Sequence, residues 1–117
     1  MRVQRFRPAD AVFERSPGQD QDIFTADLVG EADGGPVTVG YGRWDPGVVL
    51  TETMAVHDTL VVLEGRLWIS TDGEDPVEAG PGDIVHMPKG KMVTIRTRAE
   101  GARTAYVTWP HWRTGRD

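Results

Sequence analysis

Between frequent glycines and prolines, the apolar residues of this chain recur at every second position, the spacing of half-buried strands rather than of amphipathic helices. Asp22 to Gly30, carrying Ile23, Phe24, Ala26 and Leu28, predicts a strand. After a turn-rich break from Glu31 to Pro36, a second strand is predicted from Val37 to Trp44. Asp45-Pro46-Gly47 supplies a corner, because proline fixes φ and glycine takes the positive φ of a tight turn. Val48 to Val56 reads as one long strand, Thr59 to Leu63 as a β-branched and aliphatic run ending at Glu64-Gly65, and Arg66 to Ser70 as its continuation. The stretch from Thr71 through Asp72-Gly73 to Pro76 is the clearest hairpin loop. Beyond it, Val77 to Ala79, Ile84 to Met87, Met92 to Arg98 and Arg103 to Trp109 complete the set, separated by Gly80-Pro81-Gly82-Asp83 and Pro88-Lys89-Gly90. Only Pro8 to Glu14 suits a short helix. So many short strands predict an all-β sandwich or closed barrel, with residues 1–21 as an N-terminal arm and 22–117 as a single barrel domain.

Composition removes several classes. A chain of 117 residues has room for one core. Eighteen acidic residues against thirteen basic ones, mostly Arg and spread along the chain, leave a net charge of −5, which argues against a nucleic-acid or anionic-membrane partner. No apolar run approaches the roughly 20 residues of a membrane helix, and Met1 to Arg7 lacks a signal-peptide core, so a soluble, cytoplasmic protein is expected. Gly80, Gly82 and Gly90 fit turns, and no Gly-Lys-Ser/Thr phosphate loop follows them. With no cysteine, thiolate metal sites, disulfides and Cys nucleophiles are excluded. A three-histidine metal site would need His57, His86 and His111 together.

Strand parity selects candidate chemistry. If Val48 to Val56 is extended, Leu50, Glu52, Met54 and Val56 share an apolar, inward face. A carboxylate among Leu, Met and Val loses solvation, which raises its pKa toward neutrality and makes Glu52 the principal candidate acid or base. Val93 and Ile95 alternate with Thr94, Arg96 and Arg98, so Val93 also faces inward. Tyr41 and Trp44 lie three apart and take opposite faces; Trp44, Tyr41, Leu50, Met54 and Val93 are the candidate pocket residues. His86 stands among apolar neighbours, and facing Glu52 it would complete an acid–base pair. His57 falls on the opposite parity and reads as a surface or interface histidine. His111 reads as a tail contact, and Trp68, Trp109 and Trp112 as core or dimer-interface rings.

Four stretches resemble the cupins of the EutQ ethanolamine-utilisation type: Gly40-Tyr41-Gly42-Arg43-Trp44, Val61-Val62-Leu63-Glu64-Gly65, Gly82-Asp83-Ile84-Val85-His86-Met87-Pro88-Lys89-Gly90, and Tyr106-Val107-Thr108-Trp109-Pro110-His111-Trp112. The resemblance implies a double-stranded β-helix, the jelly-roll barrel of that family, and pairing of copies through their sheets into a homodimer. Carried over by position, the ligands of metal-binding cupins fall on Glu52, Met54, Asp58 and Val93, which supply two carboxylates and no imidazole, so no metal and no other cofactor is expected. It also implies that Glu64 and Asp83, which recur in cupins of every activity, serve turns and backbone hydrogen bonding. The leading expectation is an enzyme that performs isomerisation, elimination or cyclisation on a small organic substrate in the barrel, with Glu52, His86 and Asp58 as its catalytic residues. Three alternatives stand beside it: an EutQ-like acetate kinase, a non-catalytic binding or assembly module with a filled barrel, and a metal-dependent cupin with an altered ligand shell that recruits histidines.

Overall fold

The computed structural model describes residues 2–115, and strands dominate them. Six strands pair antiparallel in the order β1 (Glu14–Arg15), β2 (Ile23–Val29), β3 (Thr38–Trp44), β10 (Ala102–Trp109), β5 (His57–Gly65) and β8 (Ile84–Met87). A second antiparallel sheet holds β4 (Val49–Thr53), β9 (Met92–Arg96), β6 (Leu67–Thr71) and β7 (Val77–Ala79). From β3 onward the chain passes back and forth between the sheets, which is the winding of a jelly roll. Leu60, Val62, Leu67, Ile69, Val93 and Ile95 fill the space between them, and each such side chain withdrawn from water contributes about 1.5–3 kcal/mol.

The predicted strand from Val48 to Val56 ends early, at Thr53. Met54 still exchanges backbone hydrogen bonds with the loop before β9, its N–H donating to Lys91 O and its carbonyl accepting from Gly90 N–H, both at 2.8 Å. The chain then bends through Ala55 and Val56, and β5 starts at His57, two residues before the expected run. β9 stops at Arg96 rather than Arg98 because Thr97 is used as a clamp: its hydroxyl donates to Asp45 O (2.6 Å) and accepts from Val48 N–H (2.9 Å). Pro8 to Glu14 forms only a three-residue 3-10 turn, Pro8–Asp10, whose Asp10 carboxylate accepts the Arg7 N–H.

The N-terminal arm lies along the outer face of the larger sheet. Arg43 sits over the Phe24 ring at 4.1 Å and over Phe13 at 5.6 Å, and the Tyr41 hydroxyl donates to Phe6 O. These contacts set the path by which β1 joins the sheet edge and Ser16 and Gln19 reach the barrel mouth.

The inward positions of β3 decide the shape of the interior. Thr38, Gly40, Gly42 and Trp44 alternate inward, and two of the four have no side chain. Asp27, Gly40, Tyr106 and Leu60 form one row across β2, β3, β10 and β5. Tyr106 crosses the bare backbone of Gly40 to reach Asp27 two strands away; a Cβ on Gly40 would lie 2.6 Å from the phenol oxygen.

Candidate functional site

The two sheets enclose a cavity of about 340 Å³. Glu52 enters it from β4 together with Leu50, and Met54 follows beyond the end of that strand, as alternation in an extended segment dictates. Asp58 enters from β5 on the opposite sheet, with Leu60 two residues on, and Trp44 closes a wall from β3. The larger sheet adds Thr25, Thr104, Tyr106 and Thr108, and the tail adds Trp112.

Asp58 is a strongly perturbed carboxylic acid. Burial, first, and the facing charge of Glu52, second, raise its pKa from 3.8 to about 7. Its Oδ1 is fully buried and has no hydrogen-bond partner; the same holds for Thr25 Oγ1 and Thr108 Oγ1, both also on the cavity wall. Thr108 is the Cα partner of Asp58 across β10 and β5, so two of these three oxygens lie in one row of the sheet. Native interiors pair nearly all such atoms, so this wall presents three buried oxygens to the cavity that no protein group satisfies.

Behind the cavity, Asp27 gathers the C-terminal segment. Its Oδ1 accepts from the Tyr106 hydroxyl and from Trp112 Nε1 (3.0 Å), and its Oδ2 accepts from Arg113 Nε (2.6 Å). Burial and the bond to Asp27 hold the Tyr106 phenol above its ordinary pKa, so it stays a neutral donor. His111 docks the preceding turn: Nε2–H donates to Gly35 O (2.8 Å), leaving Nδ1 to accept from Thr38 (2.7 Å). Tyr106→Phe is expected to remove about 1.5–3 kcal/mol, the worth of a hydrogen bond to a charged group. A urea unfolding curve checks it, and an unchanged midpoint would show that the hub does not hold the tail.

Three sequence expectations are corrected here, those for His86, Tyr41 and Val93. His86 does not meet Glu52. Val85 packs on the core and Met87 is 3% exposed, so the parity of β8 turns His86 outward, where it is exposed and pairs with Thr59 Oγ1 at 2.9 Å. Tyr41 likewise leaves the cavity for the outer face, where it holds the arm, and its opposite-parity neighbour Trp44 takes the wall. Val93 does point inward, but into the packed core, 2% exposed and off the cavity wall. His57 lies on the outer face, stacked between His86 and the 56%-exposed Trp109, with Nδ1 accepting the Lys89 N–H. Asp83 accepts the Gly80 N–H in its turn, and Glu64 lies exposed beside Arg103.

The positions at which cupins hold a metal are here Glu52, Met54, Asp58 and Val93. Met54 and Val93 are core residues, and no group of three or more His, Cys, Asp or Glu placed to hold an ion occurs among the described residues. Two carboxylates and a thioether do not fit a resident divalent metal, and both His57 and His86 face away from the interior, so no altered shell can draw on them.

Sequence reasoning passed over Thr25, Thr104, Tyr106, Thr108 and Asp27. One signal for four of them was available: the inward positions of β10 and β2 carry hydroxyls where a filled core would carry aliphatics.

The double-stranded β-helix of this chain is shared with solved cupins. The chain belongs to the EutQ family: the model for "Ethanolamine utilisation protein EutQ" matches residues 10–114. It is 34% identical over 84 residues to the acetate kinase EutQ of Salmonella typhimurium, covering 72% of this chain but only 35% of that protein. Among solved structures, a Rhizobium leguminosarum protein of unknown function is 57% identical, with 95% of this chain and 100% of that one covered at a TM-score of 0.78. A Salmonella typhimurium LT2 protein assigned to ethanolamine utilization is 30% identical, with 93% and 87% covered at a TM-score of 0.83.

Proposed function

We propose that this protein is an enzyme that binds a small organic molecule in the barrel and moves protons on it, in an isomerisation, elimination or cyclisation. The observation that carries the reading is the carboxylate pair: Glu52 and Asp58 face one cavity from opposite sheets, and burial, with the charge of Glu52 second, holds a proton on Asp58 near neutral pH. One member then serves as general base while the other serves as general acid, the division of labour that two carboxylates in unequal environments produce. Glu52, on the β4 face, is the base; Asp58, which burial keeps protonated to about pH 7, is the proton donor. A filled barrel would have favoured a binding or assembly module, but the interior is open. Homodimerisation is part of the same proposal, supported by the outer face of the larger sheet, where Ile84, Val107 and Trp109 stand exposed.

The acetate kinase of Salmonella invites a second reading, in which this chain transfers phosphoryl groups. It spans about a third of that relative, and among the described residues lining the cavity there is no Lys, Arg or His to neutralise acetate or a nucleotide phosphate.

The experiment is incubation of the protein with a panel of small carbonyl compounds in D₂O, reading deuterium at the carbon next to the carbonyl by NMR. Incorporation by the unaltered protein is expected to fall at least tenfold in Glu52→Gln. If no compound exchanges faster than in buffer, or the exchange survives that substitution, the proposal is wrong.

A further inference from the structure

The unpaired oxygens of the cavity fall at two places. Asp58 Oδ1 and Thr108 Oγ1 belong to cross-strand neighbours of β5 and β10, and both are buried without a partner. Thr25 Oγ1, the third, stands in the row that runs from Thr25 on β2 through Gly42 on β3 to Thr104 on β10. Thr104 precedes Thr108 by four residues, which sets the two places ~13 Å apart along the strands, and β2 lies two strands away from β10. The Thr104 hydroxyl accepts from Trp44 Nε1 at 3.4 Å and leaves Thr25 unsatisfied. Each place also has a chemical sense. Burial keeps Asp58 protonated to about pH 7, so its carboxyl is an O–H donor, and the Thr108 hydroxyl is a second donor in the same row. Two donors match an oxygen that accepts twice, and a carbonyl oxygen has two lone pairs and no hydrogen to give. Thr25, alone at its corner, can both donate and accept, which suits a hydroxyl.

We infer that the cavity takes an elongated molecule with an oxygen at each end, a carbonyl held by the Asp58 carboxyl and the Thr108 hydroxyl, and a hydroxyl held by Thr25. Leu50, Met54, Leu60 and Trp44 line the same cavity and supply apolar surface for the middle of the molecule. A skeleton of two fused rings, with a hydrogen bond of about 2.8 Å at either end, spans a separation of this order, and a cavity of about 340 Å³ admits it. The inference rests on the reading that this cavity is the substrate site with Asp58 as its proton donor, and it adds Thr108 to the reacting centre. When a base takes the proton beside a carbonyl, negative charge develops on the carbonyl oxygen, where two positioned donors stabilise it.

The pH dependence has a definite sign. Glu52 faces Asp58 from β4 and Tyr106 from β10, with Asp27 and Arg113 behind the phenol; on β8 its partner is the apolar Met87. A carbonyl is held by the protonated acid, so its affinity falls as pH rises through about 7 and Asp58 ionises. Asp58→Asn keeps an N–H donor at every pH, so it should flatten that profile while leaving the carbonyl a partner.

The test is a titration of the full chain at pH 6, followed by NMR, with three probes of one ring system: ethylnaphthalene, acetylnaphthalene, and acetylnaphthalene with a hydroxyl at the far end of its second ring. Affinity is expected to rise in that order, each added oxygen being worth about threefold to tenfold, the range of a single neutral hydrogen bond. Acetylnaphthalene, which does not titrate, should bind severalfold more weakly at pH 8, and equally at both pH values in Asp58→Asn. Thr108→Val, which keeps the shape of the side chain, should weaken both ketones severalfold. Thr25→Val should bring the hydroxyketone down to the level of the plain ketone; a native-like spectrum confirms that each variant is folded. The inference is overturned if the hydrocarbon binds as tightly as the ketone, if the second oxygen adds nothing, or if the hydroxyketone keeps its advantage in Thr25→Val. Ketone binding that strengthens toward pH 8 also overturns it. The probe series and the pH profile need no variant, so a substitution that fails to fold does not remove the test. Loss of the pattern among these probes leaves the proton-transfer proposal standing, because deuterium exchange and Glu52→Gln test that separately.

Discussion

Asp58→Asn is expected to remove a loss of stability that the unaltered protein suffers as pH rises from 4 to 8. In the unfolded chain Asp58 releases its proton near 3.8, but in the folded chain it holds it to about 7. Between those values the folded state binds more protons than the unfolded one, so stability must fall with rising pH through that window. A shift of this size corresponds to a difference of the order of 4 kcal/mol, a large part of the margin of a small domain. Asparagine has nearly the same shape and cannot ionise, so the variant keeps its stability where the carboxylate loses it. Urea unfolding at pH 4, 6 and 8 gives the comparison, and the difference between the two proteins should widen with pH. Parallel curves would mean that Asp58 is an ordinary solvated acid. Glu52→Gln sharpens the assignment: it removes the second cause of the shift but not the first, so the Asp58 midpoint should drop and still remain above 3.8.

How much of this was legible depends on which face of each strand carried the apolar residues. On β4 the pattern was unambiguous, because Leu50 and Met54 flank Glu52 at even spacing while Thr51 and Thr53 take the other side, and the structure keeps that parity. On β8 all four residues are apolar or aromatic, so alternation contains no direction, and His86 is decided by the register of β8 against β5, where it pairs with Thr59. On β10 the usual rule is inverted. Thr104 and Thr108 face inward at 1% and 2% exposure, while Val107 and Trp109 point to solvent. Polar residues are tolerated inside because the interior is a cavity, and apolar ones stand outside on the face where we propose that copies pair. Parity reasoning assumes a filled core and an unpartnered surface, and β10 satisfies neither condition. The contact between Tyr106 and Asp27 was hidden for another reason: it depends on two strands meeting across Gly40, a relation between positions 79 residues apart that no local pattern encodes.

Gly65→Ala is expected to be among the most damaging single-methyl changes in the chain, costing more than about 3 kcal/mol or preventing folding. Gly65 ends β5 with φ of +74°, in the left-handed region where a side chain by itself costs about 1–2 kcal/mol. Space is the larger problem. An added Cβ would lie 2.1 Å from Gly101 O and 2.8 Å from Ala102 Cα, and these are backbone atoms that cannot rotate away. Gly101 is pinned in turn: it accepts the Arg66 N–H at 3.2 Å and packs against the carbonyl of Trp44, the residue that forms a cavity wall. The register of β5 against β10 also shifts just beyond this point, between Arg103 and Thr104, and the inward placement of Thr104, Tyr106 and Thr108 opposite Val62, Leu60 and Asp58 depends on that shift. Displacing the Gly65–Gly101 contact therefore disturbs the alignment that sets Thr108 beside Asp58. Gly73→Ala provides the control, because Gly73 has a similar φ of +79° but nothing within 4 Å of its would-be Cβ. It should cost only the backbone term, about 1–2 kcal/mol, so thermal unfolding of the two variants separates conformational strain from steric conflict. Equal losses would show that the close approach at Gly65 relaxes without cost and that the register of β10 is held elsewhere.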